Sequence, residues 1–280
     1  MTDQIATGPA RPRIDPRRYH EAAADAHGPV AASAPVCLYL ETTNRCNLLC
    51  TTCPRTYEEL EPPADMSWEL FTRIVDQVPD IARVVLHGVG EPMLVKDLPR
   101  MIGYLKARGA YVLFNTNGTL LTPRRGRELC ESGLDELRVS LDAADPKTFI
   151  AVRGRDFFAR ILRNVRAFTE MQLREGLERP HVSMWITGLK ETVRQLPAFV
   201  RVAHEAGVKE VYLQRLVYFE HDAIGLARPD QALFDRLTRE EAAYLGEAER
   251  LAASLGMAFS ASGAASEPGM SLKRPDDPNP

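Results

Sequence analysis

From Val36 onward, short apolar runs alternate with amphipathic segments. Short apolar runs bounded by turn formers read as buried strands. The pattern predicts strands over Val36 to Glu41, Arg83 to His87, Tyr111 to Asn115, Glu136 to Leu141, His181 to Thr187 and Glu210 to Gln214, with a seventh over Met257 to Ser260. Between them, Leu98, Met101, Ile102 and Leu105 recur at helical spacing, as do Leu196, Phe199, Val200 and Ala203. Thr122 before Pro123 and Asp145 before Pro146 each place a capping side chain ahead of a proline at the first helical position. Gly109, Gly133 and Gly207 stand where left-handed helix stops belong. Six β-then-α units follow in order.

Strands separated by helices pair in parallel through right-handed crossovers. The chain is therefore expected to be α/β, its units either curling into a partial (β/α)6 TIM-like barrel or spreading into an open doubly wound sheet. In both, ligands collect at the carboxyl ends of the strands. Residues 1 to about 34, rich in Ala, Pro and Arg without a sustained apolar period, are expected to form a mobile N-terminal arm. Residues 35–261 form the expected core barrel. Residues 262–280, with Pro268, Pro275, Pro278 and Pro280 among small and charged residues, are expected to be a disordered tail or a truncated linker.

Composition narrows the function classes. With 45% hydrophobic and 26% charged residues, the 280-residue chain has an ordinary globular composition. A formal net charge of -3 gives no bulk attraction for phosphate backbones, so nucleic acid is not the expected partner. No stretch has the length and apolarity of a membrane span, and the N-terminus lacks the apolar core of a signal peptide. A cytoplasmic location is expected.

Three of the five cysteines crowd into Cys46-Asn-Leu-Leu-Cys50-Thr-Thr-Cys53, directly after the first strand. This suits a metal site in a reducing compartment better than a disulfide framework. Soft thiolates select iron-sulfur clusters, Zn or Cu(I), and three local ligands leave one metal position open for chemistry. Cys37 and Cys130, in a strand and near a helix end, read as small buried hydrophobes.

A Cys-x-x-x-Cys-x-x-Cys loop after the first strand of a β/α chain resembles the radical S-adenosylmethionine superfamily. The similarity extends over roughly residues 36 to 220 and is greatest to the barrel part of SPASM-type members, without their auxiliary-cluster region, since no cysteine follows Cys130. The resemblance implies that Cys46, Cys50 and Cys53 bind three irons of a [4Fe-4S] cluster and that S-adenosylmethionine chelates the fourth. It implies reductive cleavage to a 5′-deoxyadenosyl radical, a peptide or small-molecule substrate, and an electron donor such as flavodoxin or ferredoxin. A non-catalytic iron-sulfur or zinc-binding structural module is the alternative.

Further motifs lie at successive strand ends. His87-Gly-Val-Gly-Glu-Pro92 is similar to the family's Gly-Gly-Glu motif, with Val89 in place of the first glycine. The resemblance gives Gly90 and Glu91 to the cofactor's amino group. Asn117, before Gly118, reads either as a hydrogen-bonding partner of cofactor or substrate or as part of an Asn-Gly turn. Ser140 and Asp142 are implied near the ribose or substrate, and Arg153 against the methionyl carboxylate. Asp142 as a turn cap and Arg153 as a solvated helix residue remain open. Thr52 replaces the aromatic residue that many relatives carry before the third cysteine, so adenine packing falls to Trp185, Ile186 or Leu213, unless these are barrel core.

Overall fold

The structure is a computed structural model that describes residues 35–57, 61–215, 233 and 237–262. The expected N-terminal arm, and the expected tail beyond Ser262, lie outside the described residues. Ser262 itself is tied to the sheet, donating its N–H to Leu213 O at 2.8 Å.

Seven strands form one sheet: β1 (Cys37–Tyr39), β2 (Arg83–Val85), β3 (Tyr111–Thr116), β4 (Glu136–Ser140), β5 (His181–Gly188), β6 (Glu210–Arg215) and β7 (Ala258–Ala261). The helices between them are α1 (Trp68–Val75), α2 (Leu98–Lys106), α3 (Pro123–Glu131), α4 (Pro146–Arg153), α5 (Phe158–Glu175), the one-turn α6 (Lys190–Val193), α7 (Leu196–Glu205) and α8 (Arg239–Ser254). Every adjacent pair of strands is parallel and their spatial order is their sequence order. A doubly wound sheet must reverse direction to cover both faces. This sheet never reverses, so right-handed crossovers put all helices on one face and the sheet curls as a partial barrel. The seventh strand is present, one residue later than expected, after α8.

Alternation along the strands builds two unlike faces. Val84, Val112, Phe114, Leu137, Val139, Met184, Ile186, Val211 and Leu213 are fully buried in the core beneath the helices. The intervening positions are more polar: Asn115, Arg138 and Ser183 are register neighbours, as are Ser140, Trp185 and Tyr212. They face the concave side. No helix among the described residues is long and apolar enough to cross a membrane.

β1 and β2 are shorter than the apolar pattern suggests. Leu40 N–H still donates to Val85 O and Leu86 N–H to Leu113 O, but beyond them the backbone leaves the ladder for loop contacts. Those loops make the site.

Candidate active site

The segment after β1 is held on several sides. Thr43 forms an isolated antiparallel bridge with Asp65. Its hydroxyl donates to Asp65 Oδ1 at 2.6 Å and accepts from Arg45 N–H at 3.0 Å. Asn44 donates through Nδ2 to the carbonyls of Glu61 and Pro62, and its Oδ1 accepts from Ala64 N–H. Leu48, 2% exposed, anchors the turn carrying the cysteines, and its carbonyl accepts from Arg55 Nη2 at 2.7 Å. Farther on, Thr51 N–H donates to Val152 O and Thr56 Oγ1 to Cys50 O.

The loop after β2 fits against this segment because it carries glycine. A β-carbon on Gly90 would stand 2.0 Å from Thr43 O and 2.8 Å from Arg45 O. One on Gly88 would stand 2.1 Å from Glu41 Oε1, which instead accepts from Val89 N–H at 2.6 Å. The close approach these glycines permit is therefore to the cysteine loop. Glu91 N–H donates to Arg45 O at 2.8 Å.

Glu91 is buried, and its carboxylate joins the strand ends. Oε1 accepts from Met93 N–H at 3.1 Å and Thr116 Oγ1 at 2.7 Å, while Oε2 accepts from Asn117 N–H at 2.7 Å. Three of roughly four acceptor positions are thus used within the protein. Burial pushes its carboxyl above the usual range, against these hydrogen bonds and the more distant Arg153 charge. Asn117 is also buried. Its Nδ2 donates to Asn47 Oδ1 at 2.8 Å and lies 3.9 Å from Cys46 Sγ, and its Oδ1 accepts from the N–H and hydroxyl of Thr119. Gly118 at φ 71 completes the Asn-Gly turn, and the Asn117 side chain reaches the cysteine loop through Asn47.

On the far side of the loop lies a buried ion pair. Asp142, at φ 62, accepts from Thr187 N–H through Oδ1 at 2.7 Å and pairs through Oδ2 with Arg153 Nη2 at 2.6 Å. Arg153 Nη1 lies 3.5 Å from Cys50 Sγ. Burial works against the guanidinium charge, but Asp142 and the Cys50 and Cys46 sulfurs outweigh it and hold the group above its ordinary value. Arg153 is therefore not a solvated helix residue. Gly154, at φ 69, ends α4 and brings the chain against the loop, where a β-carbon would meet Leu49 O at 2.4 Å.

Cys46, Cys50 and Cys53 are each half-buried. Burial raises the Cys46 and Cys53 thiols above their ordinary value. Ligation must therefore displace their protons. Among the described residues, no three metal-ligating side chains form a cage for a single ion. Three soft donors on one braced loop, with a buried cation against one of them, fit an iron-sulfur cluster.

Ser140 sits apart from this network, half-buried on the concave face beside Trp185. Ile186 and Leu213 are core residues, whereas Trp185 stacks on Tyr212 at 4.0 Å, and the Arg138 guanidinium lies 4.4 Å from the Trp185 ring centroid. His87 is exposed in area, just beyond β2. Surrounding protein and the Arg138 charge keep its imidazole below the ordinary value, against Glu41. Sequence reasoning missed Asn47, Thr119 and Thr43, whose partners are distant along the chain. It also missed Asn115, Arg138 and Tyr212, which period-two alternation in the strands marks. Cys130 packs on the core, and Cys37 is half-buried in β1.

The family model for the radical SAM superfamily matches residues 40–213. The chain belongs to this superfamily. Among its curated relatives, the tungsten-containing aldehyde ferredoxin oxidoreductase cofactor-modifying protein of Pyrococcus furiosus is 30% identical over 183 residues, covering 64% of this chain and 51% of that protein. The PqqA peptide cyclase of Streptomyces rochei is 34% identical over 140 residues, covering 50% and 38% respectively. The chain thus spans about half, or less, of the length of these relatives. In fold it is similar to Streptococcus suis SuiB bound to S-adenosylmethionine, with a TM-score of 0.65 and 16% identity over 82% of this chain and 51% of that one. SuiB bound to its precursor peptide SuiA gives the same score at 17% identity, covering 82% and 49%. Radical SAM proteins use a [4Fe-4S] cluster and S-adenosylmethionine, and the cysteine loop offers donors suited to that pair.

Proposed function

We propose that residues 35–261 are the radical-generating barrel of a peptide-modifying enzyme. The observation that carries this reading is the braced three-cysteine loop at the carboxyl end of a parallel partial barrel. Cys46, Cys50 and Cys53 would hold three irons of a [4Fe-4S] cluster. When bound, the cluster would supply the electron for reductive cleavage of S-adenosylmethionine, the source of a 5′-deoxyadenosyl radical able to take hydrogen from a substrate.

The protein's part is to position and shield. Gly90 lets the second loop close on the cysteines, while Glu91 and Asn117 lock the strand ends beneath them. Glu91, with most of its acceptor capacity spent, shapes the wall behind the cofactor's amino group and leaves backbone carbonyls to receive it. Arg153, held by Asp142 beside Cys50, adds a positive charge to the site that would complement the methionyl carboxylate at a distance. Ser140, Trp185 and Tyr212 line the hollow where substrate meets the radical.

A peptide substrate is favoured over a small metabolite by a relative named for peptide cyclisation and by a similar fold crystallised with its precursor peptide. The electron donor would be a low-potential protein such as flavodoxin or ferredoxin, and the setting the cytoplasm.

The test is anaerobic reconstitution followed by S-adenosylmethionine and dithionite, read by mass spectrometry. The wild-type chain is expected to bind iron and sulfide and release 5′-deoxyadenosine, and Cys50→Ala to release none. Zinc in place of iron and sulfide, or no 5′-deoxyadenosine from fully loaded protein, would sink the proposal and return the structural-module reading.

A further inference from the structure

Arg153 is a charge set beneath the cysteine loop at more cost than ending a helix requires. Gly154, in the left-handed region, already terminates α4. Yet Arg153 is only 8% exposed, and its buried Nε has no hydrogen-bond partner among the described residues. A buried guanidinium with an unused donor is unfavourable, and so is a non-glycine residue at positive φ, the state of its partner Asp142. Costs of this kind persist where the surroundings hold a group in one particular position.

The geometry shows what is being held. Were the pair only a clasp between β4 and α4, the fork would be free to meet Asp142 with both arms. Instead one arm reaches Asp142 Oδ2 at 2.6 Å and the other lies 3.5 Å from Cys50 Sγ. Asp142 is itself fixed by Thr187 N–H through its other oxygen, so it can aim the guanidinium only along that line.

We propose that Asp142 aims Arg153 at the Cys50 sulfur, and that Arg153 thereby raises the reduction potential of the cluster on this loop. The proposal rests on the reading above that the three cysteines hold a cluster. A positive charge and an N–H against a ligating sulfur favour the reduced state, which carries one more negative charge. Hydrogen bonds to sulfur and local net charge are the protein's main means of setting such potentials. The step adds one electron from a low-potential donor, and no bond forms or breaks in it. Arg153 is a positioning residue here, acting on the metal through Cys50.

The two roles of Asp142 predict opposite signs. Removing a negative charge near the cluster would by itself make reduction easier. If Asp142 serves to aim Arg153, its loss lets the guanidinium swing off the sulfur and makes reduction harder.

The experiment compares reconstituted wild type, Arg153→Gln, Arg153→Lys and Asp142→Asn. Iron and sulfide are assayed first, and each is then titrated potentiometrically without S-adenosylmethionine while the reduced cluster is followed by electron paramagnetic resonance. Asparagine tolerates positive φ and still accepts from Thr187 N–H. Arg153→Gln is expected to lower the reduced-to-oxidised ratio at a fixed potential about tenfold, the scale of one lost charge-assisted hydrogen bond. Arg153→Lys should fall between it and wild type, and Asp142→Asn should shift in the same direction as Arg153→Gln. A fully loaded Arg153→Gln with the wild-type midpoint overturns the proposal, and an Asp142→Asn that reduces more easily overturns the aiming role. Should Arg153→Gln fail to load, Arg153→Lys decides: a lowered ratio supports the proposal and an unchanged one overturns it. Wild-type protein that takes up no cluster refutes the underlying reading instead.

Discussion

Gly90 does its work by what it lacks. With Thr43 O where its β-carbon would be, Gly90→Ala must push the cysteine loop away from the second loop. Overpacking of this kind costs roughly 1–3 kcal/mol. The expected outcome is a lower urea midpoint and a marked loss of iron per chain after reconstitution, whereas Gly103→Ala, with nothing within 4 Å of its β-carbon, should load as wild type does. Position after a strand, together with the resemblance to the family's Gly-Gly-Glu motif for Gly90 and Glu91, pointed to Gly90, Glu91 and Asn117, and the structure brings all three to the cysteine loop. Their partners were not legible in the sequence, because Thr43, Arg45 and Asn47 lie tens of residues away and only folding brings them near. The same gap left Arg153 open between a cofactor-binding cation and a solvated helix residue until Asp142 and Cys50 were found around it.

At the level of elements, helix starts were the most readable signals, because a cap and its proline are neighbours in the chain. Asp145 Oδ1 accepts from Thr148 N–H at 3.0 Å, and Oδ2 accepts from Thr148 Oγ1 at 2.8 Å and Gln195 Nε2 at 2.6 Å. Asp145→Ala is expected to cost about 1 kcal/mol in urea unfolding at neutral pH. The Thr148 N–H bond, foremost among several, holds this carboxyl below its ordinary value. Its stabilisation is therefore present above the unfolded-state value, about 3.9, and lost as pH falls through the lower folded value. Unfolding curves recorded down through that range should show the gap between wild type and Asp145→Ala closing. The ends of β1 and β2 were overextended by the apolar pattern, since Leu40 and Leu86 continue it while the backbone has already begun to turn.

Across the whole molecule, the order of β/α units was plain in the sequence, but a barrel and an open sheet share that order. Only the unreversed strand sequence in space separates them. It leaves one face of the sheet under helices and the other open, so adjacent residues have different consequences. Val139, fully buried, and Ser140, half-buried on the hollow side, sit next to each other in β4. Val139→Ala should lower stability by about 1–3 kcal/mol and Ser140→Ala by no more than about 0.5, in the same urea assay. The bracing of the cysteine loop has a consequence at this scale too. Segment 61–66, the second loop, the end of β3 and the end of α4 all grip it through contacts that owe nothing to a metal. Small zinc domains collapse when emptied, but this shell should outlast its contents. Oxygen damage would then be a repairable injury, and a bleached molecule could be refilled without first being refolded.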